Sequence, residues 1–394
     1  MDAGRELREE ELGISEEEDD DDWFYDSIKS NAGLRSVREI TINVRYSVLQ
    51  MFKFETPKYR LFLSGEKSIC VFGKDRRGND EVMELMLPKS LTELPDQARL
   101  EKNDLKQISG GFTSAPLVDM RVLYGKKKFV ASQKALNGIV MYQMGSEKSD
   151  YISILQTIKC SQFEPFMAIN NEDKLALVTT NRKGITWIDL TVGKSVGTTG
   201  LSPCTGEEST VKAEFVSRNI IAVCSENEGS ASLYDTRTGS TDGHLTCDHK
   251  TAGDQWVLSS NYNCERGSES ENQEYVGLLS NTGNITIFDI RNNRAALCND
   301  NVFNNRKIRT SVCNSQIHLR FSTISVNSIS VSGFDDNIYV YELLKTGGLS
   351  LRFMHDGHRK TSVRKRFNTT DHLWYGKIIL SASEDKSLHC WQFS

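Results

Sequence analysis

The sequence predicts an all-β protein: a seven-bladed β-propeller whose ring is closed by a strand from near the N-terminus. Three observations carry that expectation. Short β-favouring runs, paired across Gly-, Asn- or Asp-bearing turns, recur seven times along the 394 residues. The last pair joins residues 378–383 to residues 388–393 across Glu384-Asp385-Lys386 and then stops, one strand short of a four-stranded blade. A sheet left bare at that edge would pair with another chain, so a strand supplied from elsewhere is expected to cover it.

Composition is consistent with a large buried core. Aromatic residues make up 9% and charged residues 26%, enough apolar content for a ring of packed sheets. No secretory leader and no apolar run of membrane-spanning length occurs, so an intracellular chain with no membrane partner is expected. The nine cysteines stand singly with no C-x-x-C, which favours buried thiols over disulfides or a zinc knuckle. No cofactor is expected.

In chain order, residues 1–22 hold twelve acids against Arg5 and Arg8, including seven consecutive acids from Glu16 to Asp22. Such a segment repels itself and has nothing to bury, so it reads as a disordered acidic tail ahead of a propeller spanning 23–394. Trp23, Phe24 and Ile28 follow at helical spacing and must bury on the ring or on a partner. Residues 39–45, E-I-T-I-N-V-R, alternate with period two and form the candidate closing strand.

The third strand of each blade is expected at 69–72, 139–142, 185–188, 231–234, 285–288, 338–341 and 388–391. The step from the first to the second is the longest, and residues 87–111 read as a polar connector between those two blades. Residues 261–274 read as a long hairpin loop. The innermost strands, around 118–122, 211–215 and 317–321, carry scattered charges with no repeated ligand type, which argues against catalysis in the channel.

The last hairpin fits the S-x-D-K-[ST]-x-x-x-W pattern of a WD40 blade, and Gly357-His358 stands upstream where such a blade carries its glycine and histidine. His358, Ser383 (or Ser381), Asp385 and Trp391 then resemble the hydrogen-bonded tetrad of that blade type. The other blades lack the tryptophan and the Gly-His pair. A Ser/His/Asp hydrolase reading fails because the spacing is that of the blade and no G-x-S-x-G elbow exists. Gly193-Lys194-Ser195 lacks the earlier glycine of a phosphate loop. His355-Asp356-Gly357-His358 and Cys247-Asp248-His249 lack a second ligand pair at zinc spacing and read as turns. The short basic clusters read as solvated faces, so no nucleic acid is expected.

Asp235-Thr236-Arg237 and Asp289-Ile290-Arg291 place an arginine two residues after the marker aspartate in consecutive blades. This is similar to the D-x-R box by which some propellers dock on cullin-type ubiquitin ligases as substrate receptors.

A broader resemblance runs through nearly the whole ring. Asp21-Asp22-Trp23, Gly110-Gly111-Phe112, Ser332-Gly333-Phe334-Asp335-Asp336, Val340-Tyr341-Glu342 and Leu380-Ser381-Ala382-Ser383 with Trp391 together resemble the WD repeat-containing protein 73 family. The acidic N-terminus is much longer here than in that family. The resemblance implies a non-catalytic factor that works in the cytoplasm, and the chain is expected to be a monomer in isolation. Its implied partner is the RNA endonuclease heterodimer of the Integrator complex, whose assembly it helps, with a further link to spindle microtubules and tubulin. Candidate partner-binding residues are Trp23, Phe24, Ile28, Gly110, Gly111 and Phe112.

Overall fold

The computed structural model describes residues 49–53, 60–65, 68–74, 77, 79–87, 106–123, 125–145, 149–163, 165–170, 174–178, 184–200, 211–249, 251, 253–262, 274–291, 296–303, 317–356, 358, 368–384 and 387–392. The expected acidic tail, the helix carrying Trp23, Phe24 and Ile28, and the 39–45 strand lie outside them. Every named element is a strand, and among the described residues no helix is long and apolar enough to cross a membrane.

The strands form seven four-stranded antiparallel sheets. The first holds β2 (Arg60–Gly65), β3 (Ser68–Lys74), β4 (Asp80–Met86) and β5 (Lys106–Phe112), and the second holds β6 (Leu117–Leu123), β7 (Lys128–Gln133), β8 (Asn137–Gln143) and β9 (Ser153–Phe163). The third holds β10 (Phe166–Ile169), β11 (Lys174–Val178), β12 (Ile185–Asp189) and β13 (Lys194–Thr199), and the fourth β14 (Val211–Phe215), β15 (Ile220–Ser225), β16 (Ser230–Asp235) and β17 (Ser240–Thr246). The fifth holds β18 (Trp256–Ser260), β19 (Tyr275–Ser280), β20 (Asn284–Asp289) and β21 (Ala296–Asn301), and the sixth β22 (His318–Phe321), β23 (Ser328–Ser332), β24 (Ile338–Leu343) and β25 (Leu349–His355). The last combines β26 (Thr369–Tyr375), β27 (Ile378–Ser383) and β28 (Ser387–Gln392) with β1 (Leu49–Lys53). The first strand of each sheet touches the first strand of the next, from β2 through β26, and β26 touches β2. The result is a closed β-propeller.

An N-terminal strand does close the ring, but it is Leu49–Lys53 and not residues 39–45. Leu49 pairs with Cys390 and Phe52 with Leu388, with a bulge between them. A bulge inserts an extra residue and breaks period two, so strict alternation pointed to the wrong segment.

The first sheet also corrects the expected register by one strand. Residues 69–72 belong to its second strand, β3, and the third strand is β4. Glu84 disguised β4, because an acid in a central strand reads as solvent-facing. It is instead buried, accepting the hydroxyls of Ser68 (2.9 Å) and Ser109 (3.0 Å). In consequence the last part of the expected 87–111 connector is strand β5, and Gly110-Gly111-Phe112, expected to open the second blade, ends the outer strand of the first sheet. The other six third strands, β8, β12, β16, β20, β24 and β28, contain the expected segments.

The core lies between sheets. Leu61, Ile69, Val71 and Leu85 of the first sheet pack with Leu373, Leu380 and Leu388 of the last, and Ile338, Val340 and Phe353 of the sixth pack with Trp374 and Trp391. Each such side chain contributes about 1.5–3 kcal/mol on full burial. Two carboxylates stitch inner strands together: Asp119 Oδ2 accepts the Met167 N–H and Asp371 Oδ2 the Leu61 N–H, each at 2.9 Å. Burial pushes the Asp371 carboxyl up, but the charges of His318 and Arg320 and the Leu61 N–H pull it down further, and it ends below its ordinary value. Cys70, Cys224, Cys298 and Cys390 are buried thiols outside any disulfide, and burial pushes Cys298 and Cys390 up to about 12.

Candidate protein-interaction surface and the closing sheet

The outer rim of the first three sheets gathers apolar side chains in water. The Gly110 N–H donates to the Asp150 carbonyl (2.9 Å) and the Ile152 N–H to the Gly110 carbonyl (3.3 Å), so residues 150–152 lie alongside β5 in a parallel bridge. A side chain at either glycine would crowd its surroundings, at Gly111 against Ile152 and at Gly110 within its own sheet. A Cβ on Gly111 would sit 2.9 Å from Ile152 Cγ1, and one on Gly110 would sit 3.1 Å from the Val82 carbonyl oxygen. Phe112, next in the chain, is 55% exposed and Tyr151 is 73% exposed. Ile154 and Leu155 continue the surface on β9, and both are exposed. The Gly193 turn sits so close to Gln156 that a Cβ there would lie 2.2 Å from its Nε2, which brings exposed Val192 to the same rim. Exposed apolar side chains grouped on one rim in this way are candidates for a contact with another macromolecule. Sequence reading named Phe112 as a candidate and did not name Tyr151, Ile154 or Val192, because single apolar residues in outer strands and turns carry no signal of their own.

In the closing sheet, Ser381 Oγ bonds His358 Nε2 at 2.9 Å and accepts the Trp391 indole N–H at 3.1 Å. Ser381 therefore fills the serine place. Ser383 instead donates to the Asn368 carbonyl (3.1 Å), and Asp385 lies outside the described residues. Ser381 is fully buried and its hydroxyl is engaged on two sides, so no substrate carbonyl reaches it. His355 stacks on Trp391 (4.3 Å, 15°), and His358 stacks on His389 (3.9 Å, 9°). His355, His358 and His389 are all buried with one nitrogen of each within 4.8 Å of the others. Sequence reading took the first two for a turn because His389, the third, is distant in the chain.

The two D-x-R boxes differ in geometry. Arg237 forks onto its own aspartate, with Nε 3.1 Å from Asp235 Oδ1 and Nη2 2.6 Å from Oδ2, and that bonding lowers the Asp235 carboxyl. The Arg291 N–H donates to Asp289 Oδ1 (3.0 Å), but its guanidinium reaches Glu274 Oε1 at 2.9 Å. In the channel, Arg121 pairs with Asp119 and Arg320 with Asp371, both at 3.1 Å. The structure does not bring Gly110, Asp235 or His358 to one place: they stand on the first, fourth and last parts of the ring.

No protein-family model matches the chain. It is 25% identical over 401 residues to Integrator complex assembly factor WDR73 of Danio rerio, covering 97% of this chain and 98% of that protein. It is 22% identical over 366 residues to the Xenopus laevis protein of the same name, covering 89% and 95%, and 23% identical over 346 residues to that of Mus musculus, covering 84% and 90%. The similarity thus runs the length of the ring.

Proposed function

We propose that this chain, a member of the WD repeat-containing protein 73 family, is a non-catalytic scaffold that assists assembly of the Integrator complex. Each of its seven sheets counts as one blade of the ring. The observation that carries the reading is full-length similarity to relatives named as Integrator assembly factors, joined to an exposed apolar rim suited to protein contact. The partner is the RNA endonuclease heterodimer of that complex, met in the cytoplasm, and the contact surface is centred on Phe112 and Tyr151. A rigid ring with aromatic anchors on one rim binds without needing chemistry of its own.

The test is affinity capture from cytosol followed by mass spectrometry, with the parent chain beside Phe112→Asp/Tyr151→Asp. The parent should retain Integrator endonuclease subunits and the double variant should lose them while melting normally. Capture of tubulin or a cullin-ligase adaptor in their place overturns the reading. Equal capture by the double variant moves the contact away from this rim.

A further inference from the structure

The sixth and last sheets bring together three imidazoles that no part of the scaffold reading uses. His355 ends β25, the outer strand of the sixth sheet; His358 lies in the connection to β26; His389 sits on β28, beside which β1 closes the ring. All three side chains are buried. His389 Nδ1 and His355 Nε2 are 3.4 Å apart. That is longer than the roughly 2.7–3.2 Å of an ordinary N–H hydrogen bond. It equals the separation of two ligand nitrogens in a tetrahedral site with metal–nitrogen bonds of about 2.0–2.1 Å, which geometry sets at about 3.3–3.4 Å.

The donor set selects the ion. Imidazole nitrogen suits zinc, copper, nickel or cobalt, whereas calcium and magnesium require oxygen ligands. Three histidines, with water in the fourth position, are a complete protein contribution to a zinc site. Burial holds the His355 imidazole well below its ordinary pKa, with His389 and His358 adding to the effect, and the neutral ring is the form that binds metal. Ser381, 2.9 Å from His358 Nε2, is the kind of outer partner that fixes which nitrogen of a ligating histidine faces the ion.

We propose that His355, His358 and His389 form a binding site for one divalent transition-metal ion of the zinc class, joining the sixth sheet to the closing sheet. Binding opens the stacked His358–His389 pair from its 9° tilt, because lone pairs in parallel ring planes do not converge on one ion. The ion then acts as a clasp beside the seam where β1 pairs with β28.

The full-length protein, stripped with a chelator, is titrated with cobalt(II) and read by visible absorption and metal analysis. About one ion per chain with the bands of low-coordinate cobalt is expected, together with a higher melting temperature on adding zinc. X-ray absorption of the zinc form should show nitrogen neighbours at about 2.0–2.1 Å. His355→Phe retains a ring to stack on Trp391 but removes both nitrogens, and should lose the cobalt bands while melting like the parent in chelator. His389→Gln serves the same purpose where that variant does not fold. Failure of the parent to take up cobalt, an oxygen-only shell, or undiminished cobalt bands in a folded variant overturns the proposal.

Discussion

Ser330 and Ser381, in neighbouring sheets, are bonded alike: each hydroxyl holds one imidazole Nε2 and one indole Nε1–H. For Ser381 the partners are His358 and Trp391 of its own sheet region, and for Ser330 they are His372 and Trp374, both at 2.7 Å, from the next sheet. One arrangement ties a sheet to itself; the other ties the sixth sheet to the last.

Removing either hydroxyl strands buried donors. Ser330→Ala and Ser381→Ala should each lower unfolding free energy by about 1–3 kcal/mol, measured by urea denaturation at neutral pH. A loss below about 0.5 kcal/mol for both would show that these bonds are not structural.

His372 should make stability fall on mild acidification. Its ring is buried, bonds Ser330 through Nε2 and Ser332 through Nδ1 (2.7 Å each), and lies near the positive charges of Arg320 and His318, with Asp371 opposing them. Burial first and those charges second hold its folded pKa well below 6.5, so below that value the unfolded chain takes a proton that the folded chain refuses. The stability that His372 contributes is therefore full above about pH 6.5 and falls by up to about 1.4 kcal/mol per pH unit below it, and His355, likewise buried and held low, adds to the fall. His372→Gln should reduce this slope without abolishing it, and an unchanged slope in that variant would assign the acid sensitivity elsewhere.

Truncation separates the observed closing strand from the expected one. Because β1 begins at Leu49, deleting residues 1–46 should leave a soluble monomer with cooperative melting, whereas deleting 1–53 should expose the outer edge of β28 and cause aggregation. Deleting only 1–22 should change stability by less than about 0.5 kcal/mol. Light scattering and calorimetry read all three.

The ligase alternative predicts that Arg237→Ala with Arg291→Ala abolishes capture of a cullin adaptor. Both guanidiniums already pair within the chain with the largely buried carboxylates of Asp235 and Glu274, so the double variant should lose some stability, and capture is compared on protein that still melts cooperatively. If the unmodified chain captures no adaptor in the same experiment, that reading ends.

The ring was legible in the sequence wherever short apolar runs met across turns carrying glycine or asparagine, as in β15 with β16 and β19 with β20. It was obscured where a strand broke its pattern for a buried reason. Buried Glu84 kept β4 from being recognised as the third strand of its sheet, and the bulge between Leu49 and Phe52 hid β1. Of the two sites, Phe112 was visible because two glycines precede it. The histidine trio was not, since His389 approaches His355 only once the sixth and last sheets have packed.

The pairing of Leu49 with Cys390 also orders events in time. β1 precedes and its partner β28 follows all the other described strands, so this sheet is complete only once every sheet between them has been made. Every earlier sheet must wait beside an open flank, with β2 unable to meet β26. Contacts this remote in the chain carry the full entropic cost of loop closure and slow the final step. Until β28 is made, the partly built ring is exposed to mispairing.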